Sequence, residues 1–231
     1  MKRFYTDVSV APDDTGFAIL LDQRGLKTPA KRPVTAPSEA LAQAVAEEWR
    51  DQGETLMPTS MPLTRCLNTA LDTIGEHQDA VVGEVQRYAG SDLLCYRAPD
   101  PDDLVTRQRV GWAPHLAWAE DHFGVRFTIV HGLMPVDQPP ATVATLQRAV
   151  SDLDRFRLTA VHLVAAITGS LVLALRLDAR AVSGEEVWAA AALDESFQAE
   201  LWGEDPEAAE RRAAMASDVE AADRFLSLLA G

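Results

Sequence analysis

Apolar and polar positions alternate with a period of two at the start of the chain and with a period near four over most of the rest. From Phe4 to Val10 the alternation puts Val8 and Val10 on one face, the PDDTG of residues 12–16 is a turn, and residues 16–22 form a second strand. A hairpin is the expected product. A further turn at residues 22–25 leads to a short third strand over 26–28, beyond which Pro29 and Pro33 limit pairing. From Ala36 the period lengthens. Pro37 suits a first helical turn, and Leu41, Val45 and Trp49 share a face, which predicts Trp49 as a core anchor with Glu47, Glu48 and Asp51 opposite. Pro62 opens a second helix carrying Leu63, Cys66, Leu67, Ala70, Leu71 and Ile74, and Val81, Val82, Val85 and Tyr88 define a third.

The later chain is helical with one exception. A helix from Leu104 carries Trp112, Leu116 and Phe123, is bent or divided by Pro114 and stops at Gly124; residues 125–130 read as a single strand without a local partner, which either rejoins an earlier strand or lies alone. Pro139 and Pro140 start a helix through Leu146 and Val150. Residues 157–177, RLTAVHLVAAITGSLVLALRL, are apolar on nearly every face, which predicts one central helix covered all round. A run of that length could also cross a bilayer, but His162, Thr168, Gly169, Ser170 and Arg176 interrupt it. Ser183 to Glu186 has capping-box spacing for a helix running towards Leu201, and Asp205-Pro206 begins the last one. The fold class expected is α+β: a small N-terminal β-containing domain, residues 1–75, then a larger all-helical C-terminal domain, 76–231, around one buried apolar helix.

Charge narrows the partners. Thirty-five acidic against 21 basic side chains give a formal charge of −14, which opposes nucleic acid or an anionic membrane and favours a basic protein surface. Only two cysteines, Cys66 and Cys95, are present, too few for a disulfide framework, and Cys66 falls at a core position. No apolar leader or amphipathic presequence precedes the first strand, so a reducing compartment without import is expected.

Chemistry has weak support in the residues. Ser170 beside Gly169, with His162 nearby, lacks the strand, sharp turn and GxSxG of a nucleophile elbow. His115 and His122 are seven apart, not at the i, i+4 spacing that shares an ion, so with Glu120 and Asp121 they read as a solvated face. Glycine-rich phosphate cradles are absent. Neither metal nor cofactor is expected. The strongest local candidate is residues 192–207, ALDESFQAELWGEDPE, where helical spacing puts Asp194, Gln198 and Leu201 on one side and Glu195 and Trp202 on another. Periodicity alone also allows a solvated acidic helix end with Trp202 in the core.

Six blocks in order make the chain resemble the assembly chaperones of the F-type ATP synthase. They are GFAILLDQRGLKTPAK (16–31), LAQAVAEEWRDQGE (41–54), MPLTRCLNTALD (61–72), SDLLCYRA (91–98), TGSLVLAL (168–175) and LDESFQAELWGED (193–205). DQRG at residues 22–25 and Cys66 depart from the family's usual pattern. The resemblance implies a binding protein rather than an enzyme, a strand-containing domain before a helical one, and the free alpha subunit of the catalytic head as partner. It implies a contact centred on Glu195, with Asp194, Gln198, Trp202, Glu204 and Asp205 beside it. Release would follow competition by the beta subunit, without ATP. The setting implied is bacterial cytoplasm, or the mitochondrial matrix for a eukaryotic member. An alternative from another class is a small-molecule hydrolase using Asp194 and Glu195 as paired carboxylates.

Overall fold

In a computed structural model of the chain, which describes residues 1–132, 134 and 136–229, the N-terminal alternation folds as an antiparallel hairpin of β1 (Val8–Asp13) and β2 (Gly16–Leu21). Val8 pairs with Leu21 and Val10 with Ile19, so the apolar positions share one face. The first strand starts later than the alternation predicts, because the Thr6 and Asp7 N–H groups donate to the Asp22 carboxylate at 3.0 and 2.8 Å instead of to a strand. It also runs through Pro12, which an edge strand tolerates. Asp22 and Gln23, both at positive φ, make the two-residue turn into β3 (Arg24–Gly25). The third strand is therefore displaced from residues 26–28. β4 (Thr35–Ala36) pairs with the other end of β2, and a Cβ on Gly16 would lie 2.2 Å from the Ala36 carbonyl oxygen, so that crossing requires glycine.

α1 (Glu39–Arg50) is capped by Ser38, whose hydroxyl accepts from the Leu41 N–H at 3.2 Å; Pro37 precedes the cap instead of entering the helix. Leu41, Ala42 and Val45 are fully buried against the sheet. Trp49, in the last turn, is only half-buried, so it is not the core anchor its spacing predicts. Glu48 also departs from expectation. It turns back and accepts from the Leu63 and Thr64 N–H groups at 2.7 and 2.8 Å, capping α2 (Pro62–Thr69); burial raises its pKa against those bonds. A π-helical turn follows over Ala70–Ile74, and Arg32 donates to the Leu71 carbonyl there at 2.7 Å.

By contacts the chain divides into two compact units: Met1–Gln78 with Asp154–Ala160 and the chain from Arg224 onward, and Asp79–Leu153 with Val161–Asp223. α3 (Gly75–Gln86) passes from the first to the second. In the second, β5 (Tyr96–Arg97) precedes α4 (Asp102–Phe123), which continues unbroken through Pro114 and ends at Gly124 in the left-handed region. Of the two alternatives for residues 125–130, pairing with an earlier strand is the one realised, but over a shorter span: β6 (Val130–His131) pairs in parallel with β5. Ahead of it the Gln138 amide takes a strand's place, accepting from the Thr128 N–H and donating to its carbonyl, each at 2.9 Å.

α5 (Pro140–Ser151) begins as its proline pair predicts. The central apolar run is two helices, not one. α6 (Arg155–Thr168) ends where Gly169 takes φ 67°, Ser170 is extended, and α7 (Leu171–Asp178) starts anew. α7 is buried almost all round, whereas α6 has a wet side at Ala166. Ser183 and Glu186 complete the capping box of α8 (Gly184–Ala191); a break at Ala192 separates it from α9 (Leu193–Trp202), and Asp205 caps α10 (Pro206–Leu229). The α+β class holds as read.

Val164 and Leu173 have no accessible surface. Val164→Asp or Leu173→Asp should abolish the cooperative urea transition of the helical unit, since a buried unpaired charge costs several kcal/mol against a total stability of about 5–15 kcal/mol. Leu173→Met should retain it, costing under about 1.5 kcal/mol. Circular dichroism through a urea titration reads both.

Candidate functional site

Phe197 anchors α9, being 6% exposed. On the same side Asp194 accepts from the Gln108 amide of α4 at 2.8 Å, and Arg107 of α4 pairs with Glu200 at 2.7 Å while lying over the Phe197 ring. Helical geometry then turns the opposite face outward. Glu195 and Gln198 are exposed, Leu201 is 56% exposed and Trp202 is 78% exposed. The core alternative for Trp202 is thereby removed.

Gly203, at φ 85°, reverses the chain, and Asp205 accepts from the Ala208 N–H at 3.0 Å to begin α10. This turn brings Glu195, Gln198, Trp202, Glu204 and Asp205 around one shallow hollow of about 300 Å3, which Arg211 and Arg212 also line. Arg212 is its organiser. Its guanidinium donates to Glu204 at 2.8 Å and to the Ser196 hydroxyl at 2.9 Å, and lies 3.9 Å from Glu195. Asp194 is not in this group, since its carboxylate is engaged by Gln108. The two acids of the hydrolase alternative thus have different neighbours, Gln108 for Asp194 and Arg212 for Glu195. Sequence reading missed Arg212; its separation of 16 residues from Ser196 becomes a contact only through the turn at Gly203.

The other candidates resolve as structure. Ser170 donates to the Asp92 carboxylate at 2.8 Å and caps α7, while His162 lies 3.5 Å from Glu84. Asp92 is 1% exposed and also accepts from the Val172 and Leu94 N–H groups at 2.9 and 3.0 Å. Burial outweighs those bonds and pushes its pKa up to about 6. His115 and His122 part company: His122 stacks on Trp118 at 4.7 Å, whereas His115 is buried and its Nδ1 accepts from Arg176 at 2.9 Å. The solvated-face reading therefore fails for His115. Burial, then Arg176, holds it down at about 4, so it is neutral at pH 7. Cys66 and Cys95 are buried and form no disulfide, and burial pushes the Cys95 thiol up to about 12. Among the described residues no group of three potential ligands could hold a metal, and no helix is long and apolar enough to cross a membrane.

The sequence model of the ATP12 chaperone protein family matches residues 2–120. This chain belongs to the ATP12 chaperone family. The crystal structure of Atp12 from Paracoccus denitrificans is similar over 99% of this chain and 98% of its own, at 39% identity and a TM-score of 0.94. A lysine-for-aspartate variant of the Paracoccus protein matches at the same identity and TM-score, covering 99% and 97%. The Atu1473 protein of Agrobacterium tumefaciens is 46% identical, with 99% and 86% covered and a TM-score of 0.93. Membership makes the chain a chaperone, and a chaperone's working parts are surfaces. In this ATP12 member the tip of α9 leaves Leu201 and Trp202 in water.

The buried imidazole gives a pH test. Between pH 6.5 and about 4 the unfolded chain takes up a proton at residue 115 and the folded chain does not, so acidification destabilises the fold through His115. Asp92 acts oppositely, since between 3.8 and about 6 only the folded state holds its proton. His115→Gln removes the first effect. By urea unfolding, its stability relative to the parent should shift in the variant's favour by about 2–3 kcal/mol from pH 7 to pH 4.5. A difference that does not change with pH would mean that His115 titrates normally.

Proposed function

We propose that this chaperone assists assembly of the F-type ATP synthase catalytic head, in a bacterial cytoplasm, by binding the free alpha subunit through the tip of α9. The observation that carries the reading is Trp202, 78% exposed at the end of a helix whose other face is pinned to α4. Family membership supplies the chaperone role, and the block containing Trp202 carries the sequence resemblance. An alpha subunit without its beta neighbours exposes apolar surface that aggregates. Trp202 and Leu201 match such a surface in character, while Glu195, Glu204 and Asp205 suit a basic rim around it.

Arg212 has a supporting part in this reading. By holding Glu204 and Ser196 it fixes the turn that presents Trp202, and it neutralises part of the acidic cluster in the free protein. A basic side chain of the partner would compete for the same carboxylates. Asp194, which accepts from Gln108, positions α9 and supports Glu195 from the α4 side.

The test is suppression of alpha-subunit aggregation, followed by light scattering. Trp202→Ala should weaken protection by about 30-fold in apparent affinity, the scale of a hot-spot aromatic worth about 2 kcal/mol. Glu195→Lys should weaken it further at low salt, and the loss should shrink as salt rises. Both side chains are exposed, so circular dichroism should be unchanged. Full protection by both folded variants would reject this surface.

A further inference from the structure

The first unit contains a larger recess that the α9 tip does not involve. It is a half-open hollow of about 1400 Å3 with a floor of buried Leu21, Leu26 and Met61. Trp49 and Tyr5, with ring centres 5.6 Å apart, stand in its wall. Met1 and Phe4 edge the mouth at 83% and 65% exposure, so apolar surface faces water here. The volume exceeds the roughly 300–1,000 Å3 of small-molecule sites and is enough for several side chains.

Its charge runs against that of the chain. In a protein of formal charge −14, the hollow is lined by Arg24, Lys27 and Arg65 against one carboxylate, Asp22. That carboxylate is already taken by the Thr6 and Asp7 N–H groups. The rim therefore attracts an acidic group. In the wall, the Trp49 indole N–H and the Asn68 amide oxygen are buried without a hydrogen-bond partner. A peptide group supplies both the acceptor and the donor these atoms lack, whereas a fatty acid has no N–H to give. Both atoms are closed to solvent in the empty wall, so a ligand meets them only as the two side chains turn.

We propose that this hollow binds an extended, mainly apolar stretch of a partner polypeptide that carries an acidic side chain facing Arg24 and Lys27. The proposal rests on membership of a chaperone family and not on the role of Trp202. The probe is an end-blocked, fluorescein-labelled nonapeptide alternating leucine and serine with a central glutamate, titrated with the full chain and read by anisotropy. A second peptide has lysine in place of the glutamate.

The glutamate peptide should bind saturably and the lysine peptide about tenfold or more weaker. Lys27→Glu, a change at an exposed side chain, should reverse that preference, and Phe4→Ala should weaken both peptides about threefold or more. Trp202→Ala should bind the glutamate peptide as the parent does, which separates this hollow from the α9 tip. The proposal is overturned by absence of saturable binding, or by a Lys27→Glu protein with the parent's preference. It is equally overturned if Trp202→Ala abolishes peptide binding, if oleate binds here and the peptide does not, or if the parent dimerises through this face and Lys27→Glu does not.

Discussion

The helical unit depends on one buried carboxylate. Breaking the apolar run at Gly169 exposes the first N–H groups of α7 inside the core, where water cannot satisfy them. Asp92, 78 residues earlier in the chain, fills that need by accepting from the Ser170 hydroxyl and the Val172 N–H, while also holding its own turn through Leu94. The negative end thus meets the positive end of a helix. Its raised pKa reflects the cost of burial, which its hydrogen bonds only partly offset. Without this acceptor the Val172 N–H and the Ser170 hydroxyl would be left unsatisfied inside the core.

The same device recurs and changes the meaning of the acidic composition. Glu48 caps α2, Asp154 accepts from Phe156 and Arg157 at the start of α6, Asp223 accepts from Gly184 at the start of α8, and Asp205 caps α10. Asp22 serves a turn in the same way. A share of the excess negative charge is therefore engaged by backbone N–H groups, and of these carboxylates only Asp205 also borders the α9 tip. Net charge at −14 does not describe every part of the surface, and the N-terminal hollow is basic at its rim. Surface charge has to be read locally, after the capping carboxylates have been set aside.

At α9 the constraint is division of labour between faces. Phe197, Asp194 and Glu200 fasten the helix to α4, so Trp202 can remain in water without the helix collapsing onto it. An exposed tryptophan gains nothing for folding, and its retention on a fixed helix is what a contact surface requires.

Sequence by itself determined the α+β class, the proline, capping-box and Asp-Pro starts of α2, α5, α8 and α10, the stop at Gly124, and the block containing Glu195 and Trp202. These are local signals, written within a turn or two of where they act. Tertiary structure decided the rest. Glu48 read as a solvated residue until the start of α2 came within its reach, and His115 as surface until Arg176 lay against it. Trp49 has perfect core spacing, yet it stands half-buried in the wall of the N-terminal hollow. Arg212 and Ser196 meet only because Gly203 turns the chain, and Asp92 finds Ser170 only in the fold. Periodicity says which face of a helix is apolar; what lies opposite that face depends on contacts between distant segments, which no local pattern carries.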